Sequence, residues 1–314
     1  MLELKTISKV YHTGTFGGKE LRAVSNANFN IADGEIVSLI GESGSGKSTI
    51  GKMILKLIPV TTGQILFDGK DITALKGGDL KEYYRHVQGV FQDPFSTYNP
   101  IFKADHIFGA IHEEFFPHVS KEEWEKKVIT AIRSVGLNPE IVMNKYPHQL
   151  SGGQLQRMLI ARALLLDIKF LVADEIISML DATTRIDVLN LLADLKKRGL
   201  SILFITHDLS LGYYISDRVV ILYRGHVVEM GSTEKVYHNP QHPYTKLLMA
   251  AVPRLDQKWD PTKVDLEGKD VEPGSICPYY GRCRAEGKNE TCRTSVPELR
   301  ELEPDHWVAC FVAK

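Results

Sequence analysis

The segment from Gly34 to Thr49, GEIVSLIGESGSGKST, constrains the fold more than any other stretch of the chain. Ile36 to Ile40 is a short, apolar, β-branched run and predicts a buried strand. It leads into Gly41-Glu42-Ser43-Gly44-Ser45-Gly46-Lys47-Ser48, which satisfies G-x-x-x-x-G-K-[ST] at every fixed position. A helical stretch, Thr49 to Leu57, follows. In that order the glycines let successive backbone N–H groups turn inward around an anion, and the helix start adds its positive dipole end. Lys47 then reaches the β- and γ-phosphates of a nucleotide, and the Ser48 hydroxyl is placed to ligate Mg²⁺.

At 314 residues the chain is long enough for one large domain and an appendage. Hydrophobic residues make up 43% and charged residues 25%, which fits a soluble globular protein. The net charge of −1 offers no electrostatic case for nucleic-acid binding. Met1 to Tyr11 alternates apolar and polar residues, unlike a signal peptide. No apolar run approaches the ~20 residues of a membrane-spanning helix. A cytoplasmic location is therefore expected, with any membrane role resting on other subunits.

The remaining elements alternate in a pattern that predicts an α/β fold: a mainly parallel core sheet with antiparallel strands at both ends and a helical insert. LELKTISKVY and AVSNANFNIADGE read as strands, the second ending at the Asp33-Gly34 turn. Tyr11, at the end of the first, is placed either as an edge-strand tyrosine or to stack on a purine ring. HVQGVF ends at Gln92, a residue type that can bind Mg²⁺ or position water, or simply face solvent. Residues from about 102 to 145 read as mainly helical. Ser151 N-caps the helix that follows, and Gly152 and Gly153 bare N–H groups at its start. KFLVADE is an apolar strand that ends in Asp174, suited to hold Mg²⁺, and Glu175, suited to take a proton from water. SILFITHD delivers His207 to a strand's C-terminal end, where α/β folds bind ligands. DRVVILYRGHVVEMGS reads as a hairpin around Arg224-Gly225.

The order GESGSGKST, FQDP, LSGGQLQR, LVADE, SMLD, ITHD over residues 1 to 235 resembles the ATP-binding cassette of ABC transporters, a P-loop NTPase, with a helical insert at about 95–160. The resemblance implies roles by position. Tyr11 stacks on adenine, while Gly41, Ser43, Gly44, Gly46, Lys47, Ser48 and Thr49 cradle the phosphates. Gln92 links Mg²⁺ and water to the membrane subunits. Ser151, Gly152, Gly153 and Gln154 form the signature that meets the γ-phosphate held by an opposing subunit. Asp174 and Glu175 are the Mg²⁺-binding and catalytic acids, Asp181 is the D-loop aspartate, and His207 contacts the γ-phosphate. The family usually has a small residue after the glutamate, and this chain has Ile176. FQDPFSTYNP, NPQHPYTKLLMAAVP and the cysteine-bearing tail resemble the oligopeptide/dipeptide importer branch, whose carbohydrate-specific relatives share the tail.

The resemblance implies a peripheral ATPase at the cytoplasmic face of the membrane. Its partners would be two permease subunits, a second cassette (a heterodimer more than a homodimer) and, indirectly, an extracellular solute-binding protein. ATP would bind between two cassettes closed head to tail. The segment Pro94 to Phe108 is expected to form the groove for a permease helix. An oligosaccharide importer and a soluble ABC ATPase are the alternatives. A DNA-repair ATPase needs long inserts that are missing here, a translation factor needs two cassettes, and a non-catalytic subunit would have lost Lys47, Glu175 or His207.

All four cysteines, Cys277, Cys283, Cys292 and Cys310, lie in the 236–314 extension, at spacing C-x5-C-x8-C-x17-C. A reducing compartment disfavours two disulfides, and zinc sites usually pair cysteines as C-x₂₋₄-C. In a segment expected to be loop-rich and without a strong core, a metal staple is the expectation. The importer branch carries a [4Fe–4S] cluster in its tail, which the resemblance implies here; zinc and free thiols are the other readings. Nothing in the sequence puts this tail near ATP, so a structural role is expected.

Overall fold

A computed structural model describes residues 1–13, 18–251 and 276–313; the stretch 252–275 of the expected extension lies outside the described residues. The chain divides into two units, Met1–Ala74 with Leu203–Lys314, and Leu75–Ile202.

The first unit opens with β1 (Leu2–Thr13), β2 (Lys19–Ile31), β3 (Ile36–Ile40), α1 (Lys47–Ile54), β4 (Thr62–Phe67) and β5 (Lys70–Asp71). One antiparallel sheet has the order β2-β1-β4-β5. Its pleat explains the alternation in β1, where Leu2 and Leu4 are buried and Glu3 and Lys5 exposed. All five residues of β3 are buried, as its continuous apolar run requires. The helix α1 begins at Lys47 rather than Thr49, because Gly46 takes the left-handed N-cap conformation, φ 104°.

The second unit contains α2 (Gly77–His86), β6 (Val87–Val90), α3 (Pro94–Thr97), α4 (His106–Phe115), α5 (Lys121–Ser134), α6 (Pro139–Val142), α7 (Gly152–Leu164), β7 (Phe170–Asp174) and α8 (Ala182–Lys197). β6 and β7 pair in parallel from Val87↔Phe170 to Val90↔Ala173. In α5 the helical spacing of Trp124, Val128, Ala131 and Ile132 buries one face, and Ser120 caps the helix by accepting the Glu123 N–H at 3.3 Å. α5 packs on α7.

The chain returns to the first unit within β8 (Ser201–Thr206). It continues through α9 (Leu209–Ile215), β9 (Arg218–Tyr223), β10 (His226–Ser232), α10 (Thr233–His238), α11 (Pro243–Ala250), α12 (Glu290–Thr294), β11 (Arg300–Glu303) and β12 (His306–Val308). Within this unit the second sheet runs β11-β12-β10-β9-β3-β8. β3 pairs in parallel with β9, whereas β9 with β10, β10 with β12 and β11 with β12 are antiparallel. The β9–β10 turn uses two residues with positive φ, Arg224 (46°) and Gly225 (81°), the geometry that a two-residue hairpin needs.

The described part of the tail is not the coreless segment expected from its composition. β12 extends the sheet, with Met230 opposite Trp307 and Gly231 opposite His306. Glu229 is fully buried yet satisfied: it accepts the N–H groups of Gln241 (2.7 Å) and His242 (2.8 Å) and lies 2.7 Å from His306 Nε2. Burial alone depresses the His306 pKa, but hydrogen bonds to Glu229 and Glu303 outweigh it and raise the pKa overall. Cys277 and Tyr279 join Ile40, Tyr223 and Tyr244 in one buried cluster, with Cys283 packed against it.

Candidate functional site

In the first unit the glycine loop joins β3 to α1 and is gripped from two sides. A Cβ on Gly41 would stand 2.1 Å from the Leu222 carbonyl oxygen, and one on Gly46 would stand 2.4 Å from that of Ala23. Only glycine fits these close approaches, and Gly46 also needs its positive φ. The hairpin tip adds a bond, from the Gly225 N–H to the Ser45 carbonyl at 2.8 Å. No side chain caps α1, which suits a helix start that receives an anion. Ser43 and Gly44 are exposed at the rim, and Ser48 and Thr49 are half-buried.

Lys47 is 4% exposed and turns its ammonium back onto the loop, donating to the carbonyls of Gly41 (2.8 Å) and Glu42 (2.9 Å). A phosphate oxygen can take over those donors. His207 is exposed immediately after β8, and Asp208 caps α9 by accepting the Ser210 N–H at 2.8 Å. Tyr11 lies on β1 opposite Leu21, beyond the last β1–β4 pair at Ser8↔Thr62, with Lys9 Nζ 5.1 Å from its ring centre.

The second unit holds Gln92, Ser151 to Gln154, Asp174, Glu175 and Asp181. Gln92 is exposed between β6 and α3. Side chains of α7 fix the segment ahead of it: buried Gln156 donates to the Phe91 carbonyl at 3.3 Å, and Arg162 donates to the Gly89 carbonyl at 2.9 Å. At the head of α7, Ser151 Oγ accepts the Gln154 N–H (3.2 Å), and Gln154 Oε1 accepts the Ser151 N–H (2.9 Å). A Cβ on Gly153 would lie 2.5 Å from Thr184 Cγ2, so this glycine lets α7 and α8 meet. Asp181 caps α8, accepting both the N–H (3.0 Å) and the hydroxyl (2.7 Å) of that same Thr184. The Thr184 N–H leads the causes that hold the Asp181 carboxyl below its usual pKa. Thr184 thus ties the glycine pair to the aspartate, a link with no local signature in the sequence.

Asp174 is 7% exposed at the end of β7. Glu175 has φ +50°, a left-handed conformation that costs a non-glycine residue about 1–3 kcal/mol. Two features hold it there. Ser178 bonds to the Glu175 carbonyl through its N–H (3.1 Å) and hydroxyl (2.9 Å), and Ile176 and Ile177 are buried at 1% and 2% exposure. Ile176 therefore serves as an anchor beneath the strained glutamate.

The tail is where sequence reasoning falls short. No signal in the sequence places the tail near the glycine loop, yet Arg282 forms a two-pronged ion pair with Glu42, Nη1 to Oε2 at 3.0 Å and Nη2 to Oε1 at 3.1 Å. Tyr244 Oη accepts the Glu42 N–H at 3.0 Å.

The four cysteines are free thiols, three buried and Cys283 half-buried. Burial pushes the Cys277 thiol up to about 11 against the opposing hydrogen bond from the Tyr279 backbone, with Cys310, Cys283 and Cys292 as smaller causes in the upward direction. Among the described residues, no group of three or more His, Cys, Asp or Glu is arranged to hold a metal ion. Among the described residues the four thiols do not form a ligand sphere, although the Cys277 N–H donates to the Cys292 carbonyl at 3.2 Å. No helix among the described residues is long and apolar enough to cross a membrane.

Known proteins resemble this chain along most of its length. A family described as ABC transporter matches residues 24–178, and one described as oligopeptide/dipeptide transporter, C-terminal region, matches residues 228–292. A putative peptide import ATP-binding protein of Brucella ovis is 41% identical over 99% of this chain and 97% of its own length. The oligopeptide transport ATP-binding protein OppF of Salmonella typhimurium is 39% identical over 93% of this chain and 88% of its own. Among solved structures, the ATP-binding cassette MJ0796, a dimer in a post-hydrolysis state bound to ADP and Pi, superimposes with a TM-score of 0.67 at 30% identity. That match covers 74% of this chain and 99% of MJ0796.

Proposed function

The chain belongs to the ATP-binding subunits of ABC transporters, in the oligopeptide/dipeptide import branch, and from that premise we propose that it hydrolyses ATP to energise peptide uptake through separate membrane subunits. The observation that carries this reading is a complete P-loop, Gly41 to Ser48, in a chain similar end to end to peptide import ATP-binding proteins. Residues 1–235 are the proposed cassette and residues 236–314 its extension.

In the proposed mechanism the loop amides and Lys47 bind the β- and γ-phosphates, and Tyr11 stacks on the adenine. Ser48, Gln92 and Asp174 would hold Mg²⁺, which supplies charge neutralisation between the phosphates. Glu175 accepts a proton from water as its oxygen bonds to the γ-phosphorus. The bond from that phosphorus to the ADP oxygen breaks, and the electron pair leaves with ADP. Lys47 and His207 stabilise the charge on the transferred group. Ser151, Gly152, Gly153 and Gln154 of one cassette meet the γ-phosphate held by the other, with Asp181 at the seam. Supporting this, MJ0796 is a dimer.

The partners are two permease subunits, a second, different cassette and, indirectly, an extracellular solute-binding protein; the chain sits peripherally at the cytoplasmic face. The exposed side chains of Phe95, Ile101 and Phe102, at 48%, 77% and 46%, support the segment Pro94 to Phe108 as the permease contact. ATP-dependent peptide uptake by the reconstituted importer tests the reading.

For the tail, Cys277, Cys283, Cys292 and Cys310 would hold a [4Fe–4S] cluster once drawn together around it, a reading supported by their being four free thiols in one short extension, with Cys277 and Cys292 joined by a backbone hydrogen bond of 3.2 Å. Protein purified without oxygen is expected to be brown, with four irons and four sulfides per chain to match the cluster. A colourless protein with four titratable thiols, or with a single zinc, would exclude it.

A further inference from the structure

We propose that Arg282 of the C-terminal extension is a positioning residue of the nucleotide site, fixing the P-loop through Glu42 together with Tyr244. The inference rests on the reading of Gly41 to Ser48 as the phosphate cradle.

Glu42 is held at three points. Its N–H donates to Tyr244 Oη, its carboxylate takes both prongs of Arg282, and its carbonyl accepts from Lys47 at 2.9 Å and from the Ser45 N–H at 3.1 Å. The position of Glu42 therefore sets where the Lys47 ammonium rests, and two of the three holds come from beyond residue 235.

An exposed ion pair would carry little weight here, since such pairs contribute about 0–1 kcal/mol. This one differs in construction. The Arg282 side chain is only 12% exposed, although that of Glu42 is 41% exposed, and the guanidinium lies 5.8 Å from the ring centre of Tyr223 and 5.9 Å from that of Tyr279. Held near two aromatic rings and bonded at both prongs, the fork is geometrically specific. Tyr223, Tyr244 and Tyr279 in turn form one aromatic cluster, with centres 4.6 to 5.6 Å apart. That cluster includes Ile40, the last residue of β3 before the loop.

Charge gives a second effect of the same sign. Glu42 places a carboxylate within the loop that receives a polyphosphate, and Arg282 neutralises it. Without Arg282 the loop would carry an uncompensated negative charge and would lose its grip on Glu42. Removing the charge at Glu42 as well should return part of the affinity, a rescue that a merely structural role for Arg282 does not predict.

The test measures MgATP binding to the purified full chain by displacement of a fluorescent ATP analogue, with melting curves for each variant. Arg282→Ala is expected to raise the ATP Kd by about tenfold, or about 1.4 kcal/mol, with KM rising further than kcat falls. Adding Glu42→Gln to Arg282→Ala is expected to recover at least about threefold of that loss. Where Arg282→Ala fails to fold, Arg282→Lys keeps the charge without the fork and is expected to weaken binding by about threefold. A single variant within twofold of wild type, or a double variant as weak as Arg282→Ala, would overturn the inference while leaving the nucleotide site intact. A wild-type chain that does not bind MgATP would refute the nucleotide reading, and this inference with it.

Discussion

Replacing Glu175 by Gln is expected to leave ATP binding intact while lowering hydrolysis by about 10²–10⁴-fold, the usual range for loss of a general base. The substitution keeps the size of the side chain and most of its hydrogen bonding, but an amide cannot take the proton of the attacking water. The backbone should tolerate it. The left-handed conformation at Glu175 is fixed by buried Ile176 and Ile177 and by the two bonds from Ser178, none of which involves the carboxylate. Because bound ATP would no longer be consumed, the same variant should accumulate the paired form of the two cassettes in sedimentation with MgATP. Turnover within a few-fold of wild type would remove Glu175 from the role of base.

Lys47→Ala is expected to lower ATP turnover by about 10²–10³-fold, as for loss of one preorganised donor to transition-state charge. Two consequences add. The ammonium would be lost from the phosphates, and the loop would lose the bonds that Lys47 makes to the Gly41 and Glu42 carbonyls before nucleotide arrives. Affinity for MgATP should therefore fall together with turnover, unlike in Glu175→Gln, and parallel binding and turnover measurements separate the two variants. A Lys47→Ala protein that turned over within fivefold of wild type would show that the ammonium does not act on the phosphates.

Much of the fold follows from local signals. β3, β7 and β8 are continuous apolar runs, and all of their residues are buried. The hairpin at Arg224-Gly225 follows from turn chemistry. The glycine loop is legible because phosphate binding demands particular residues at fixed spacing, and the family and fold of the chain are those of an ABC cassette. What escaped the sequence is long-range. Nothing local in RELE or HWV announces that β12 will pair with β10, because that register is set by buried Glu229 meeting His306, 77 residues away. Arg282 and Glu42 are 240 residues apart, and neither carries a signal of the other. Thr184 appears as an ordinary helix residue until Gly153 and Asp181 are seen to converge on it. Composition misled in the tail, where prolines and cysteines suggested a segment without a core, whereas Cys277 and Tyr279 are buried with residues of β3 and β9.

The most direct measurement is uptake of a labelled oligopeptide into proteoliposomes that contain the permease subunits, this chain and its partner cassette, with the solute-binding protein outside and ATP trapped inside. The account predicts that uptake requires ATP and falls by about 10²-fold or more when Glu175→Gln replaces the wild-type chain. A fully assembled importer that takes up peptide equally well without ATP, or with Glu175→Gln in place of wild type, would contradict it.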